Sequence, residues 1–209
     1  MKKFIMCACL LSSTALMYPV PSHAQEGGDS PWLVRGRVIG VLPDAGGHTT
    51  IGGKPEASDA FVPEFDISYF FTKNIAAELI LATSPHEVKL KGSTSGNLTL
   101  GDTMVLPPTL LLQYHFSPDK KFSPYVGAGV NYTLPYAEDA KDVTKLKVDG
   151  SFGVAFQAGA DYWLDDHWGL NFDVKKILVD VDASINSGAI RGNVELDPWV
   201  VGTGVSYRF

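Results

Sequence analysis

Eight charged residues stand where charge is least expected, inside apolar stretches. Arg35 and Arg37 interrupt "PWLVRGRVIGV", Glu64 and Asp66 interrupt "FVPEFDISYFF", and Glu78 lies in "NIAAELILAT". Asp161 lies in "FGVAFQAGADYW", and Asp173 and Lys175 lie in "HWGLNFDVKK". Basic and acidic groups brought together in such a setting can neutralise one another as a buried, hydrogen-bonded network. A second candidate is "HFS", which puts His115 and Ser117 two residues apart and so places a base and a nucleophile on one face of a strand. No acidic residue stands beside that pair to orient the base.

Other combinations fall short of a site. The stretch "DVDAS" at 180–184 and the acidic run Glu138, Asp139 and Asp142 would attract a divalent cation, but their spacing fits no calcium loop. Gly127 and Gly129 lie in an alternating segment rather than ahead of a helix, so no nucleotide-binding loop is indicated. No metal, cofactor or catalytic set is implied.

What positions the charged residues is an alternation of period two, the spacing that sends successive side chains to opposite faces of a strand. Trp32, Val34 and Val38 oppose Arg35 and Arg37; Phe61, Phe65, Ile67, Tyr69 and Phe71 oppose Glu64 and Asp66. Six more segments follow suit, ending with "DPWVVGTGVSYRF", where Trp199, Val201, Val205, Tyr207 and Phe209 share one side. Eight strands result. Short links ("TKN", "SPDKK", "DDH") alternate with long ones at 42–60, 84–104, 135–150 and 180–195, giving four hairpins over roughly 32–71, 74–116, 122–164 and 167–209. A short helix is expected within 136–147.

The start of the chain reads as a secretory signal peptide over residues 1–24: two lysines, an apolar stretch from Phe4 to about Val20, and small Ala24 before a polar segment. Residues 25–209 then form one domain. Cleavage removes Cys7 and Cys9, so the mature chain has no disulfide, and 15 basic against 23 acidic residues leave a formal charge of −8. That balance argues against nucleic acid as a partner.

Alternation alone fits a soluble sandwich with its apolar face inward, and two features favour the inverse. The charges fall repeatedly in mid-strand on one face, while the opposite face is almost free of charge for about 10 residues, the length of a tilted membrane strand. Aromatic residues also gather at the ends bearing short turns: Trp32, Tyr69, Phe71, Tyr114, Phe116, Tyr162, Trp168, Tyr207 and Phe209. Rings of this kind belong at a lipid headgroup boundary. A thinner second rim is drawn from Phe61, Tyr132, Phe152 and Trp199. Because lipid offers no partner for backbone N–H and C=O groups, a sheet spans only by closing. The expected fold is therefore all-β: an eight-stranded antiparallel transmembrane β-barrel with short periplasmic turns and long extracellular loops, in the bacterial outer membrane among its lipid and lipopolysaccharide.

"NIAAELILATSP", "LPPTLLLQYHF", "PYVGAGVNYT" and the C-terminal "LDPWVVGTGVSYRF" resemble the OmpW family of outer-membrane proteins, which includes the AlkL-type proteins linked to alkane uptake. The resemblance covers nearly all of the mature chain. It implies a narrow apolar passage for small hydrophobic solutes with sideways release into the membrane. On this reading the solute wall comprises the inward apolar residues of the long-loop half: Ile39, Val41, Val62, Ile80, Leu111, Ile177, Val179 and Val200. Ile80 stands at the expected apolar constriction. Arg35, Arg37, Glu64, Asp66, Glu78, Asp161, Asp173 and Lys175 form a polar plug below it; Lys175 departs from the family in standing where an aromatic is expected. Pro63, Pro107 and Pro108 cannot donate ladder hydrogen bonds and either open a sideways exit or end the pairing where the loops begin. The terminal Tyr207 and Phe209 resemble the signature that the barrel assembly machinery recognises. Two alternatives are a structural or receptor barrel that engages a cell, phage or bacteriocin through its loops, and a lipid A-modifying enzyme built on His115 and Ser117.

Overall fold

The computed structural model describes residues 30–209; the expected signal peptide lies outside the described residues. Fifteen strands run in chain order: β1 (Trp32–Leu42), β2 (Gly46–Thr49), β3 (Lys54–Ala57), β4 (Ala60–Phe70), β5 (Ile75–Ala82), β6 (Ser84–Ser93), β7 (Gly96–Leu106) and β8 (Thr109–His115). There follow β9 (Phe122–Ala140), β10 (Leu146–Val148), β11 (Ser151–Trp163), β12 (Trp168–Leu178), β13 (Asp180–Ile185), β14 (Ile190–Glu195) and β15 (Trp199–Arg208).

Eight of them close a barrel. The hydrogen-bonded order is β11, β12, β15, β1, β4, β5, β8, β9, and pairing of β9 with β11 returns the sheet to its start. Every pair is antiparallel; β1 with β4, for example, runs from Trp32 opposite Tyr69 to Val41 opposite Ala60. Closure leaves no unpaired edge to be solvated in a medium that cannot solvate it.

Side chains fall on the two faces as alternation requires. Phe61, Phe65, Leu79, Leu112, Val130, Phe156, Phe172 and Val201 are among the large apolar groups exposed on the outside, whereas Arg35, Asp66, Glu78 and Asp161 are no more than 1% exposed. This distribution is inverted relative to a water-soluble protein, and it fits lipid outside. Rings at the short-turn end touch edge to face: Trp32 with Tyr69 at 4.8 Å, Tyr69 with Phe71 at 5.4 Å, Trp168 with Tyr207 at 4.8 Å, and Tyr207 with Phe209 at 4.9 Å. At the other end Tyr132 and Phe152 meet at 4.6 Å.

The long links are not loops for most of their length. β6 and β7 continue the second hairpin outward and pair with β3 on one side and the extended β9 on the other. A separate four-stranded sheet, in the order β10, β13, β14, β2, rises opposite. Leu90, Leu100, Leu146 and Ile185 form a small apolar core among these extensions. The helix expected within 136–147 does not form. β9 continues to Ala140 with Tyr136 opposite Met104 and Ala140 opposite Gly101, and an irregularity between Asp102 and Met104 absorbs the broken alternation.

Candidate functional site

All eight residues of the expected plug meet inside the barrel. Arg35 grips Asp161 with two nitrogens, Nε to Oδ1 at 3.2 Å and Nη2 to Oδ2 at 2.8 Å, and reaches Glu78 Oε1 at 3.2 Å and Asp66 Oδ1 at 3.3 Å. Arg37 donates to Glu64 Oε1 at 2.7 Å and Glu78 Oε1 at 3.0 Å. Lys175 donates to Glu64 Oε1 at 2.8 Å and Asp173 Oδ1 at 2.7 Å. Arg35 on β1 and Asp161 on β11 lie three strands apart around the wall, as do Lys175 on β12 and Glu64 on β4, so these bonds cross the lumen. Apart from Lys175 with Asp173 on β12, the charges are paired by a bridge between strands, and the bridge fills the bore.

Neutral groups complete the network. Gln113 and Gln157 each donate to Glu78 Oε2 at 2.8 Å, Tyr125 donates its hydroxyl to Asp173 Oδ2 at 2.9 Å, and Ser206 donates to Asp161 Oδ1 at 2.6 Å. Their inward parity was legible in the sequence; their membership of the plug was not, because it depends on how far each side chain reaches across the bore. Gly159 makes room for Tyr125, since a Cβ there would lie 2.5 Å from the ring.

His115 is part of this assembly. Its Nε2 meets Gln113 at 3.1 Å and its ring packs on Tyr125 at 5.0 Å.

Above the plug lies a cavity of about 110 Å³. Of the eight residues expected to form an apolar wall, Ile39, Val41, Val62, Ile80, Ile177, Val179 and Val200 line it. Leu111 packs in the same apolar cluster without lining the cavity. Val181, Val194 and Leu196 extend the wall outward, and Glu64 and Lys175 form its floor. Lys175 is thus tied down by two carboxylates rather than projecting into the space.

One wall of this cavity is incompletely stitched. Ladder pairing between β4 and β5 ends at Glu64 opposite Ala82, and hydrogen bonding resumes only where the Ser58 amide donates to the Glu87 carbonyl. Pro63 lies in the gap. The Phe70 amide points to β1 and the Phe71 amide to the β5 side, so by alternation the missing N–H of Pro63 is on the side of the gap. Pro107 and Pro108 differ: their carbonyls accept from Asn131 Nδ2, Thr109 Oγ1 and the Tyr132 amide, which sews that wall shut.

A polar group that sequence reasoning missed caps the gap. His86 Nδ1 lies 2.7 Å from the Ser58 carbonyl and Nε2 lies 2.8 Å from Ser84 Oγ. Ser84 and His86 lie on β6, past the end of the spanning strand β5 at Ala82. Burial pushes the His86 pKa below its ordinary value, against the opposing effects of the Ser58 carbonyl and Asp59. Ser84 and His86 show the same i, i+2 spacing as His115 and Ser117, a signal that lay unread within an expected loop.

The architecture has counterparts among known proteins. The chain is 45% identical to the outer-membrane protein y4mB of Sinorhizobium fredii, over 97% of this chain and 91% of that protein. It is 32% identical to outer membrane protein W of Vibrio cholerae, over 96% of this chain and 98% of that protein. The crystal structure of the outer membrane protein OprG from Pseudomonas aeruginosa superposes with a TM-score of 0.81 at 30% identity, covering 88% of this chain and 98% of that one. The profile of the OmpW family matches residues 28–209. The chain is an outer-membrane protein and belongs to the OmpW family.

Proposed function

We propose that the barrel provides passive passage for small hydrophobic molecules across the outer membrane, entering from the extracellular side and leaving sideways at Pro63. The observation that carries this reading is the apolar cavity over a plug that crosses the bore. A solute in that cavity is shielded from water by valine and isoleucine side chains but has no continuation downward through the ion-paired floor. The unpaired wall between Pro63 and Thr83 is the remaining way out, and it opens toward lipid. Burial at about 25 cal/mol per Å² of apolar solute surface offsets the loss of the solute's previous contacts, and no catalytic group is needed. A relative 27% identical over 93% of this chain, the Pseudomonas aeruginosa protein PahQ, is named for a dibenzothiophene metabolism operon, which is in keeping with an apolar cargo.

The test is uptake. Ile80→Arg places a long cation in the wall, and initial entry of n-octane into cells is expected to fall to the level of cells lacking the barrel, at equal amounts of folded protein. Unchanged entry would refute the passage.

A second reading, recognition of another cell or a phage by the extensions, draws on the groove of about 810 Å³ in the outer sheet, lined by His48, Lys145, Lys147, Asp149, Asp182 and Arg191 among others. Shortening the β13–β14 turn and measuring both adhesion and octane entry separates the two.

A further inference from the structure

The hydroxyl groups that line the cavity share one property. A carbonyl oxygen only accepts, so the contact of His86 Nδ1 with the Ser58 carbonyl at 2.7 Å fixes the ring proton on Nδ1. Nε2 of the neutral ring is then an acceptor, and the Ser84 hydroxyl at 2.8 Å must donate to it. Thr103 stands opposite His86 in the β6–β7 ladder and turns its hydroxyl toward the Met104 carbonyl at 3.4 Å. Thr133 donates to Asn131 Oδ1 at 2.8 Å. Thr109, the fourth hydroxyl in the lining, donates to the Pro107 carbonyl and accepts from Asn131; Ser84, Thr103 and Thr133 also turn their hydrogens into the wall, while their lone pairs remain available. All are buried, and all line the cavity.

We propose that Ser84, His86 and Thr103 form a headgroup subsite that accepts a hydrogen bond from the hydroxyl of a neutral amphipathic solute, making long-chain primary alcohols the preferred cargo. The proposal rests on the passage reading and narrows its substrate class. An ether or ester of the same length brings only lone pairs to a wall that offers lone pairs. An alkane displaces water from the wall oxygens and puts nothing in its place, whereas an alcohol restores the lost bond. A carboxylate meets unfavourable charge, because the floor sets Arg35, Arg37 and Lys175 against Glu64, Asp66, Glu78, Asp161 and Asp173, two more acidic groups than basic ones. An ammonium would be spared that repulsion but must shed its hydration to cross the apolar stretch.

Two measurements test it. In cells, initial entry of n-octanol, methyl octyl ether and n-octane is compared for the wild type, Thr103→Val and the double variant Ser84→Ala with His86→Leu, which leaves no Nε2 lone pair free, each normalised to folded barrel. Either variant is expected to lower the alcohol-to-ether ratio about fivefold, the net effect of one neutral hydrogen bond; ratios unchanged in both variants overturn the subsite. In nanodiscs, the His86 ring resonances of the intact barrel are followed during titration with n-octanol and with methyl octyl ether. A shift with the alcohol alone supports the subsite, and an equal response to both, or to neither, overturns it. Should no probe enter cells faster than it does without the barrel while the alcohol-specific shift persists, the passage reading fails and the binding subsite stands.

Discussion

Lys175 Nζ lies 2.8 Å from Glu64 Oε1 across the bore, and both residues face the cavity above while belonging to the ion-pair network below. This pair is the boundary between an apolar space and a charged one. Glu64 Oε1 also takes Arg37 Nη1 at 2.7 Å, so the boundary is braced from β1, β4 and β12 together.

Removing one partner from such a buried set leaves uncompensated charge. Lys175→Met strands Asp173 and weakens the hold on Glu64, and a loss of about 3–5 kcal/mol of barrel stability is expected. The temperature at which the folded band converts to the unfolded one in SDS gels measures it. Lys175→Arg, which keeps the charge, is expected to lose less.

Acid should loosen the gap above Pro63. Burial favours the neutral ring of His86, so its folded pKa lies below the ordinary value. A base depressed in this way contributes stability that is complete above about pH 6.5, the unperturbed histidine value, and is lost as pH falls through the folded value. The protection of the Glu87 amide, which donates to Ser58 Oγ at 2.9 Å, measured as its exchange rate relative to the unstructured amide at the same pH, is expected to fall on acidification in the wild type. In His86→Gln the rate should follow only the intrinsic chemistry of the amide. Protonation would also make Nε2 a donor and turn the Ser84 hydroxyl toward the cavity, shifting preference from alcohols toward ethers.

Restoring the missing donor should slow release. Pro63→Ala supplies an N–H on the gap side, which can extend the β4–β5 ladder beyond Glu64 opposite Ala82. One added ladder bond of about 1 kcal/mol corresponds to roughly a fivefold lower rate of octane entry, with stability unchanged or raised. Faster entry would argue against an exit at this point.

The C-terminal ring separates assembly from stability. Phe209 packs on Tyr207 at 4.9 Å, and its carbonyl accepts the Ser30 amide at 3.1 Å. Phe209→Ala removes an edge-to-face pair of about 0.5–1.5 kcal/mol, too little to unfold the barrel in detergent. If the ring is read during membrane assembly, the folded fraction in cells falls well below the fraction recovered by refolding in vitro; equal fractions would leave the ring a packing role only.

The alternation of charged and oily residues was enough to read eight spanning strands, their inward and outward faces, both aromatic rims and the eight charged residues that face inward, from Arg35 to Lys175. It sufficed because lipid and lumen differ so strongly that every second residue in a span reports its side. Beyond Phe61 that contrast fades, since lipid no longer covers the outer face and polar residues can stand on either side. The extensions therefore read as loops, 136–147 as a short helix, and Ser84 and His86 went unread. Only the closed barrel decided which inward residues meet: Arg35 finds Asp161 and Lys175 finds Glu64 because curvature brings β1 to β11 and β12 to β4 across the bore, a proximity that spacing along the chain does not encode. The open seam at Pro63, and the sewn one at Pro107 and Pro108, likewise depend on which neighbour each backbone group faces once the cylinder is complete.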